Sequence, residues 1–308
     1  YEAACSCFLG RHFRGLKNGP SPEWLRRRLT AIGLRPISAL VDMTNFITYD
    51  LGRPLHVFDA GKVTAPIQAR MATAGETFLA LDGKDYELDG EITVIADQKA
   101  AEAIGGVMGG EASGCTDETT EMFLEAALFD AHRTAATGRR LGIESDARYR
   151  FERGVDPAMV RPGVEVATRM VLEMCGGETS HTVLAGTPDV PAKVVAFRPA
   201  RVTELIGIDV DEEEQRKILS DLGFGIAGKS GNWQVTAPTW RTDIDGEADI
   251  VEEVARIAGF DRIVSTPLPR LSVTAKPALT LSQRRRPTAK RALAVRGMME
   301  CVTWSFMP

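Results

Sequence analysis

The sequence predicts an α+β chain: a mixed α/β unit with a β-rich core, followed by a smaller α/β unit. Three observations predict it. Over residues 67–97, short apolar runs alternate with turn residues, the pattern of short antiparallel strands. Over 158–175, apolar residues recur at helical spacing. At Thr187-Pro188-Asp189-Val190-Pro191 two prolines break the pattern, which neither a helix interior nor a central strand tolerates, so a boundary falls there. A chain of 308 residues has room for about two domains at ~100–200 residues each.

The elements follow in order. Ser21-Pro22-Glu23 reads as a helix start, with Ser21 as N-cap and Pro22 at the first helical position. Leu25, Leu29 and Ile32 give that helix its apolar face, and Gly33 ends it. Residues 36–44 read as a buried strand. Asp82-Gly83 is a hairpin turn among the strands of 67–97, and 92–96 is a further strand. The helix over 158–175 sets Val160, Val164, Ala167, Val171 and Met174 on one side, and Gly176-Gly177 closes it.

After the boundary, a strand starts at Ala196-Phe197 and a short helix spans 200–206 around Val202 and Leu205. Asp211-Glu212-Glu213-Glu214 opens the next helix, with acids favourable to its dipole and a capping-box-like Asp-x-x-Glu. That helix ends at Leu222-Gly223. A hairpin turning at Ser230-Gly231-Asn232 and a helix over 246–258, ended by Gly259, complete a winged-helix-like module closed by Pro267 and Pro269. The basic run Arg284-Arg285-Arg286 begins a new segment. Residues 291–308 read as a helix running into a strand pattern at 301–306. The chain opens on Tyr1 rather than Met and stops on a strand pattern, so truncation at both ends is expected.

Composition narrows the class. Contents of 44% hydrophobic and 26% charged residues are those of a globular protein. A net charge of −5 and a pI near 5.6 exclude a uniformly basic nucleic-acid coat but leave room for a local positive stripe. No run of ~18 apolar residues offers a membrane span, and no signal-peptide pattern follows Tyr1. The five scattered cysteines argue against a disulfide framework and for the reducing cytoplasm. Cys5-x-Cys7 lacks the second pair that a zinc site needs.

Glu125 stands out as a lone carboxylate in the apolar run Phe123-Leu124-Glu125-Ala126-Ala127. Gly109-Gly110 precede it, and Ser145 and Ala147 follow. Two readings are open: a salt-bridged edge residue, or one buried acceptor in a small-walled pocket. His56, after Pro54-Leu55, is either a turn residue or a site group; His132 and His181 read as surface residues. Arg139, Arg140, Arg148, Arg150 and Arg153 form either a phosphate-facing cluster or a solvated, salt-bridged face. Asp249, Glu252 and Glu253 stand at i, i+3 and i+4 of one helix, with Asp243 just before it. Four oxygen ligands without His or Cys favour magnesium over zinc; a plain acidic helix face is the other reading.

Five blocks in one order carry a resemblance: Val41-Asp42-Met43-Thr44-Asn45-Phe46, Gly52-Arg53-Pro54-Leu55-His56-Val57-Phe58-Asp59, the run over 109–157, Ala237-Pro238-Thr239-Trp240-Arg241-Thr242-Asp243, and Val251-Glu252-Glu253-Val254-Ala255-Arg256. Together they resemble the beta subunit of bacterial phenylalanine–tRNA ligase, and the likeness covers roughly residues 1–306. The resemblance implies an editing, tRNA-binding domain of B3/B4 type over 1–190 and a winged-helix-like B5-type domain over 191–268. Residues 269–308 are implied to be the truncated start of a catalytic-like domain, and the family's amino-terminal RNA-binding barrel to be missing.

The implied enzyme joins phenylalanine to its tRNA with ATP and magnesium, as a heterotetramer of two alpha and two beta subunits. The implied task of this region is hydrolysis of mischarged tyrosyl-tRNA. A pocket for phenylalanine rejects an isostere bearing one more hydroxyl by only about 10², so a second site of opposite selectivity is needed. The resemblance makes Glu125 the acceptor for the tyrosine hydroxyl and Gly109 and Ala147 the small walls. Ser145 stands where the family more often has Thr. His56 and Asn45 are placed near the ester or the tRNA end. Asp243, Asp249, Glu252 and Glu253 are implied to hold magnesium together with the alpha subunit. The rivals are a non-catalytic tRNA-binding or assembly module and a DNA-binding regulator; the acidic helix speaks against the second, because carboxylates repel phosphate.

Overall fold

The computed structural model describes residues 3–268 and 278–304, in two units, Tyr1–Ile263 and Val264–Pro308. The first unit begins with β1 (Cys5–Arg14), α1 (Glu23–Ala31), α2 (Ala39–Asp50) and β2 (His56–Asp59). Short strands follow: β3 (Gln68–Met71), β4 (Glu76–Leu79), β5 (Asp85–Leu88), β6 (Thr93–Ala96), β7 (Ala101–Ile104) and β8 (Met108–Gly109). Then come β9 (Glu121–Phe129), α3 (Ala131–Leu141), α4 (Asp146–Phe151), α5 (Val160–Cys175), β10 (Glu178–Thr179) and β11 (Val183–Gly186). A further set comprises β12 (Val194–Phe197), α6 (Ala200–Ile206), α7 (Glu212–Asp221), β13 (Gly225–Lys229), β14 (Asn232–Thr236) and α8 (Glu247–Ala258). The second unit holds α9 (Leu281–Ala294).

The fold is α+β, as its sequence predicts, with antiparallel pairing throughout these sheets. The main sheet runs β10-β1-β9-β2, with β11 also on β1. Its central strand β9 is covered by helices. Leu40, Met43 and Ile47 of α2 and Val160, Val164, Ala167 and Val171 of α5 pack with Leu124 and Ala126 into one buried cluster. A four-stranded sheet, β3-β6-β7-β8, carries Gly109, while β4 and β5 form the expected hairpin, with Gly83 at φ +76°. Residues 197–255 build their own core around Phe197, Trp233 and Val254. There Asp211 caps α7, accepting from the Glu214 amide at 2.7 Å, but the capping box is not closed, since the Glu214 carboxylate meets Arg262 instead. No helix among the described residues is long and apolar enough to cross a membrane.

Three local readings are corrected. Residues 36–44 are not a strand: α2 occupies 39–50. Leu40, Met43 and Ile47 lie at i, i+3 and i+7 and are fully buried, so the helical period shows only once the run is followed past Thr44. The carboxylate of Asp42 accepts from the Ile37 amide and the Ser21 hydroxyl at 2.8 and 2.6 Å. That engages Ser21, so α1 begins at Glu23 with Pro22 in the cap position, and Ile32 at its far end is half exposed. Finally, the terminal helix lies at 281–294 and residues 301–304 form no strand; positions 305–306 of that pattern, like Pro269, lie outside the described residues.

Candidate functional site

On β9, Glu125 has Gly10 of β1 on one side and His56 of β2 on the other, directly opposite in register. Cross-strand partners point to the same face, and both side chains line one cavity of about 70 Å³. At ~10–15 Å³ per water-sized group, that is roughly the room of a single aromatic ring. Ala147 and Phe151, one turn apart on α4, form one wall, and the Gly105-Gly106-Val107 turn between β7 and β8 forms another. Gly109 completes the lining. A Cβ there would lie 2.8 Å from His56 Nε2, so the bare glycine makes room first for the imidazole.

Burial governs the electrostatics of the pocket. Burial pushes the Glu125 carboxyl up to about 7, opposed by the nearby Arg53 guanidinium. Among the described residues it accepts no hydrogen bond, although it is only 5% exposed. Burial pushes His56 down to about 4, so its ring is neutral at neutral pH. His56 sits edge-on to Phe58 at 4.4 Å, and its Nε2 is buried without a partner among the described residues.

The structure brings together His56, Glu125, Gly109 and Ala147, but not Ser145 or Asn45. Ser145 is the N-cap of α4: its hydroxyl donates to the Val107 carbonyl at 2.5 Å and accepts from the Arg148 amide. It braces two cavity walls against each other without lining the space. Asn45 lies half-buried on α2, away from the cavity lining.

Arg53 was not singled out in the sequence. It is fully buried, lies 5.4 Å over the Phe151 ring, and donates to the Ala127 carbonyl, two residues along β9 from Glu125. Burial pushes it down to about 10, with Glu125 the foremost group holding it charged.

Most of the arginine cluster is paired. Arg148 and Arg153 both meet Glu152, at 3.0 and 2.7 Å, Arg150 meets Asp146 and Arg140 meets Asp89. His132 and His181 are exposed.

The four distal carboxylates do not converge. Asp249 turns back to accept from the amides of Asp245 and Gly246, both at 2.8 Å. Asp243 pairs with Arg241. Glu253 is buried between Arg241 and Arg256, at 2.8 and 2.7 Å, while Glu252 is exposed. Among the described residues no three His, Cys, Asp or Glu side chains are placed to hold a metal ion. The side chains present therefore do not fit the magnesium set read from their spacing, because two arginines and a helix cap already occupy three of them.

A family model described as "B3/4 domain" matches residues 4–176, more than half of the chain. The beta subunit of phenylalanine–tRNA ligase from Paramagnetospirillum magneticum is 58% identical over 305 residues, 99% of this chain. The chain belongs to the B3/4-domain family. A second model, "tRNA synthetase B5 domain", matches residues 195–260. The beta subunit from Rhodopseudomonas palustris is 53% identical over 98% of this chain. The chain spans 38% of the length of both relatives. All four cavity residues and Arg53 fall within the B3/4 match, and the four unconverged carboxylates within the B5 match.

Proposed function

We propose that the B3/4 domain hydrolyses tyrosyl-tRNA, as the editing module of a phenylalanine–tRNA ligase. The observation that carries this reading is the Glu125 carboxyl, buried without a protein hydrogen bond in a ring-sized cavity facing His56. A phenol hydroxyl entering that cavity donates to the carboxylate and replaces part of its lost solvation. A phenylalanine ring leaves the carboxylate unpaired, a penalty of about 1–3 kcal/mol or more. This is the opposite selectivity to a synthetic pocket, which is what a second sieve requires.

In this reading Glu125 selects, Gly109 and Ala147 shape the space, and Arg53 keeps part of the Glu125 population ionised. His56, held neutral to about 4, is a weak base at neutral pH. It orients water or the ester through Nε2 rather than removing the proton. Ser145 positions α4, and Asn45 belongs to the surface offered to the RNA end.

The whole protein is read as the beta subunit of a cytoplasmic enzyme that attaches phenylalanine to its tRNA using ATP and magnesium, with tRNA and an alpha subunit as partners in a two-alpha, two-beta assembly. Magnesium would need ligands from elsewhere, since among the described residues no three His, Cys, Asp or Glu side chains come together to hold it.

The test is deacylation of tyrosyl- and phenylalanyl-tRNA by wild type and Glu125→Ala. Wild type should prefer the tyrosyl ester, and the variant should lose that preference. A wild type inert toward both esters would instead make the domain a non-catalytic tRNA-binding or assembly module.

A further inference from the structure

The face of α4 that turns away from the cavity belongs to a row of solvent-facing aromatic rings, each carrying an arginine. On α1, Arg28 lies 5.6 Å over Trp24 and 5.8 Å over Phe46 of α2. One turn on from Phe46, Tyr49 donates to Asp146 of α4 at 2.7 Å and lies under Arg150 at 4.4 Å. Just past the end of α4, Arg153 covers Tyr149 of that helix at 3.7 Å. Trp24, Tyr49 and Tyr149 are 46%, 40% and 58% exposed. Cation–π pairs occur about once per 70–80 residues; here α1, α2 and α4 carry three exposed sets side by side. Large exposed aromatics cost solvation, and nothing in a packed core requires them there.

We infer that this row is a stacking platform for a single-stranded RNA end. Every base offers a π-face to an aromatic ring, and guanidinium planes extend the stack while reaching phosphate. Charge agrees at the α1 end, where Arg27 and Arg28 have no carboxylate partner among the described residues. Of the acids near α4, Asp146 and Glu152 are paired with Arg148, Arg150 and Arg153, while the exposed Glu144 has no cationic partner among the described residues. Position agrees too: Ala147 and Phe151 wall the cavity from one face of α4 while Tyr149 and Arg150 lie on the other, so a strand held on the row ends beside the pocket. The inference rests on the proposed hydrolysis only for what the strand carries; binding of uncharged RNA stands independently of it.

The test measures binding of a short, unstructured, unacylated RNA by the full chain, using fluorescence anisotropy. Trp24→Ala and Tyr149→Ala should each weaken binding by roughly tenfold, within the range alanine substitution of a stacking residue gives. Tyr149→Leu, which keeps bulk without the π-face, should behave as Tyr149→Ala, and thermal melting confirms that each variant is folded. Affinities within twofold of wild type for the folded Trp24→Ala and Tyr149→Ala variants, or tighter binding of duplex than of single strand, would overturn the inference. Loss of RNA binding in these variants, with Glu125→Ala still preferring the tyrosyl ester, would defeat the pocket reading and leave the platform standing.

Discussion

His56 and Glu125 stand directly opposite each other on β2 and β9, and burial drives their ionisation in opposite senses. The imidazole stays neutral down to about 4, and the carboxyl stays protonated up to about 7. Between their ordinary values of 4.5 and 6.5, both are uncharged in the folded chain and both are charged in the unfolded one. Each state then holds one proton on the pair, so in this window the pair contributes no pH dependence to stability.

Breaking the pair exposes the two hidden slopes. In Glu125→Gln only His56 remains, with its folded value below its unfolded one. The unfolded chain takes up the proton first, so stability is lost as pH falls from 6.5 to about 4. In His56→Gln only Glu125 remains, with its folded value raised. Stability is then gained as pH falls from about 7 to 4.5. Each effect should reach about 3 kcal/mol, at ~1.4 kcal/mol per pH unit. Urea unfolding at a series of pH values, read as variant minus wild type, checks this. Difference curves of the same sign would rule out opposed titration of the two groups.

Burial sets where the Glu125 carboxyl titrates, and Arg53 moderates it. Its guanidinium opposes the rise that burial imposes on Glu125. Arg53→Met removes that opposition and moves the Glu125 midpoint above about 7, while exchanging a buried cation for an apolar chain of similar reach. Discrimination of tyrosyl from phenylalanyl ester should then require a higher pH than in wild type. A midpoint unchanged or shifted downward would show that Arg53 supports the cavity only by packing.

Glu125 was legible because a strand exposes its pattern locally: a single charge among Phe123, Leu124, Ala126 and Ala127 is visible without the fold. Its partner was legible only by resemblance, since nothing local to Pro54-Leu55-His56 tells a turn from a ladder position opposite β9. Arg53 was missed for the same reason, because its burial depends on α5 closing over it: a Cβ at Gly163 would lie 2.8 Å from Arg53 Cγ. The helix face at Asp249, Glu252 and Glu253 misled in the other direction. Spacing gives angular position on a helix but not what lies opposite, and Arg241, from the preceding loop, claims Glu253. Residues 36–44 misread because an apolar run cut short has no period to measure.

Gly109 tests how tightly the imidazole is held. A methyl group at that position would overlap the His56 ring and lie 3.0 Å from Leu81 Cδ1. Gly109→Ala should displace His56, costing about 1–3 kcal/mol as other overpacked sites do, and abolish ester hydrolysis. A crystal structure of the variant with the imidazole unmoved, or wild-type deacylation rates, would contradict this role.

Around Glu253 the question is whether the carboxylates serve an ion or two arginines. Burial alone would raise Glu253, yet the hydrogen bonds from Arg241 and Arg256 hold it below its ordinary value. A depressed carboxylate contributes stability above its unfolded value near 4.5, lost as pH falls through the lower folded value. Arg241→Ala leaves a largely buried charge with one partner instead of two, so the chain should lose about 1–3 kcal/mol at neutral pH. Asp243 loses its partner as well, but at the surface, where an ion pair contributes little. If the arginines are the true partners, millimolar magnesium should leave the melting temperature of wild type unchanged and should not rescue the variant. A magnesium-dependent rise in wild type, absent from Glu253→Gln, would instead mean that Glu253 can exchange its arginines for a cation.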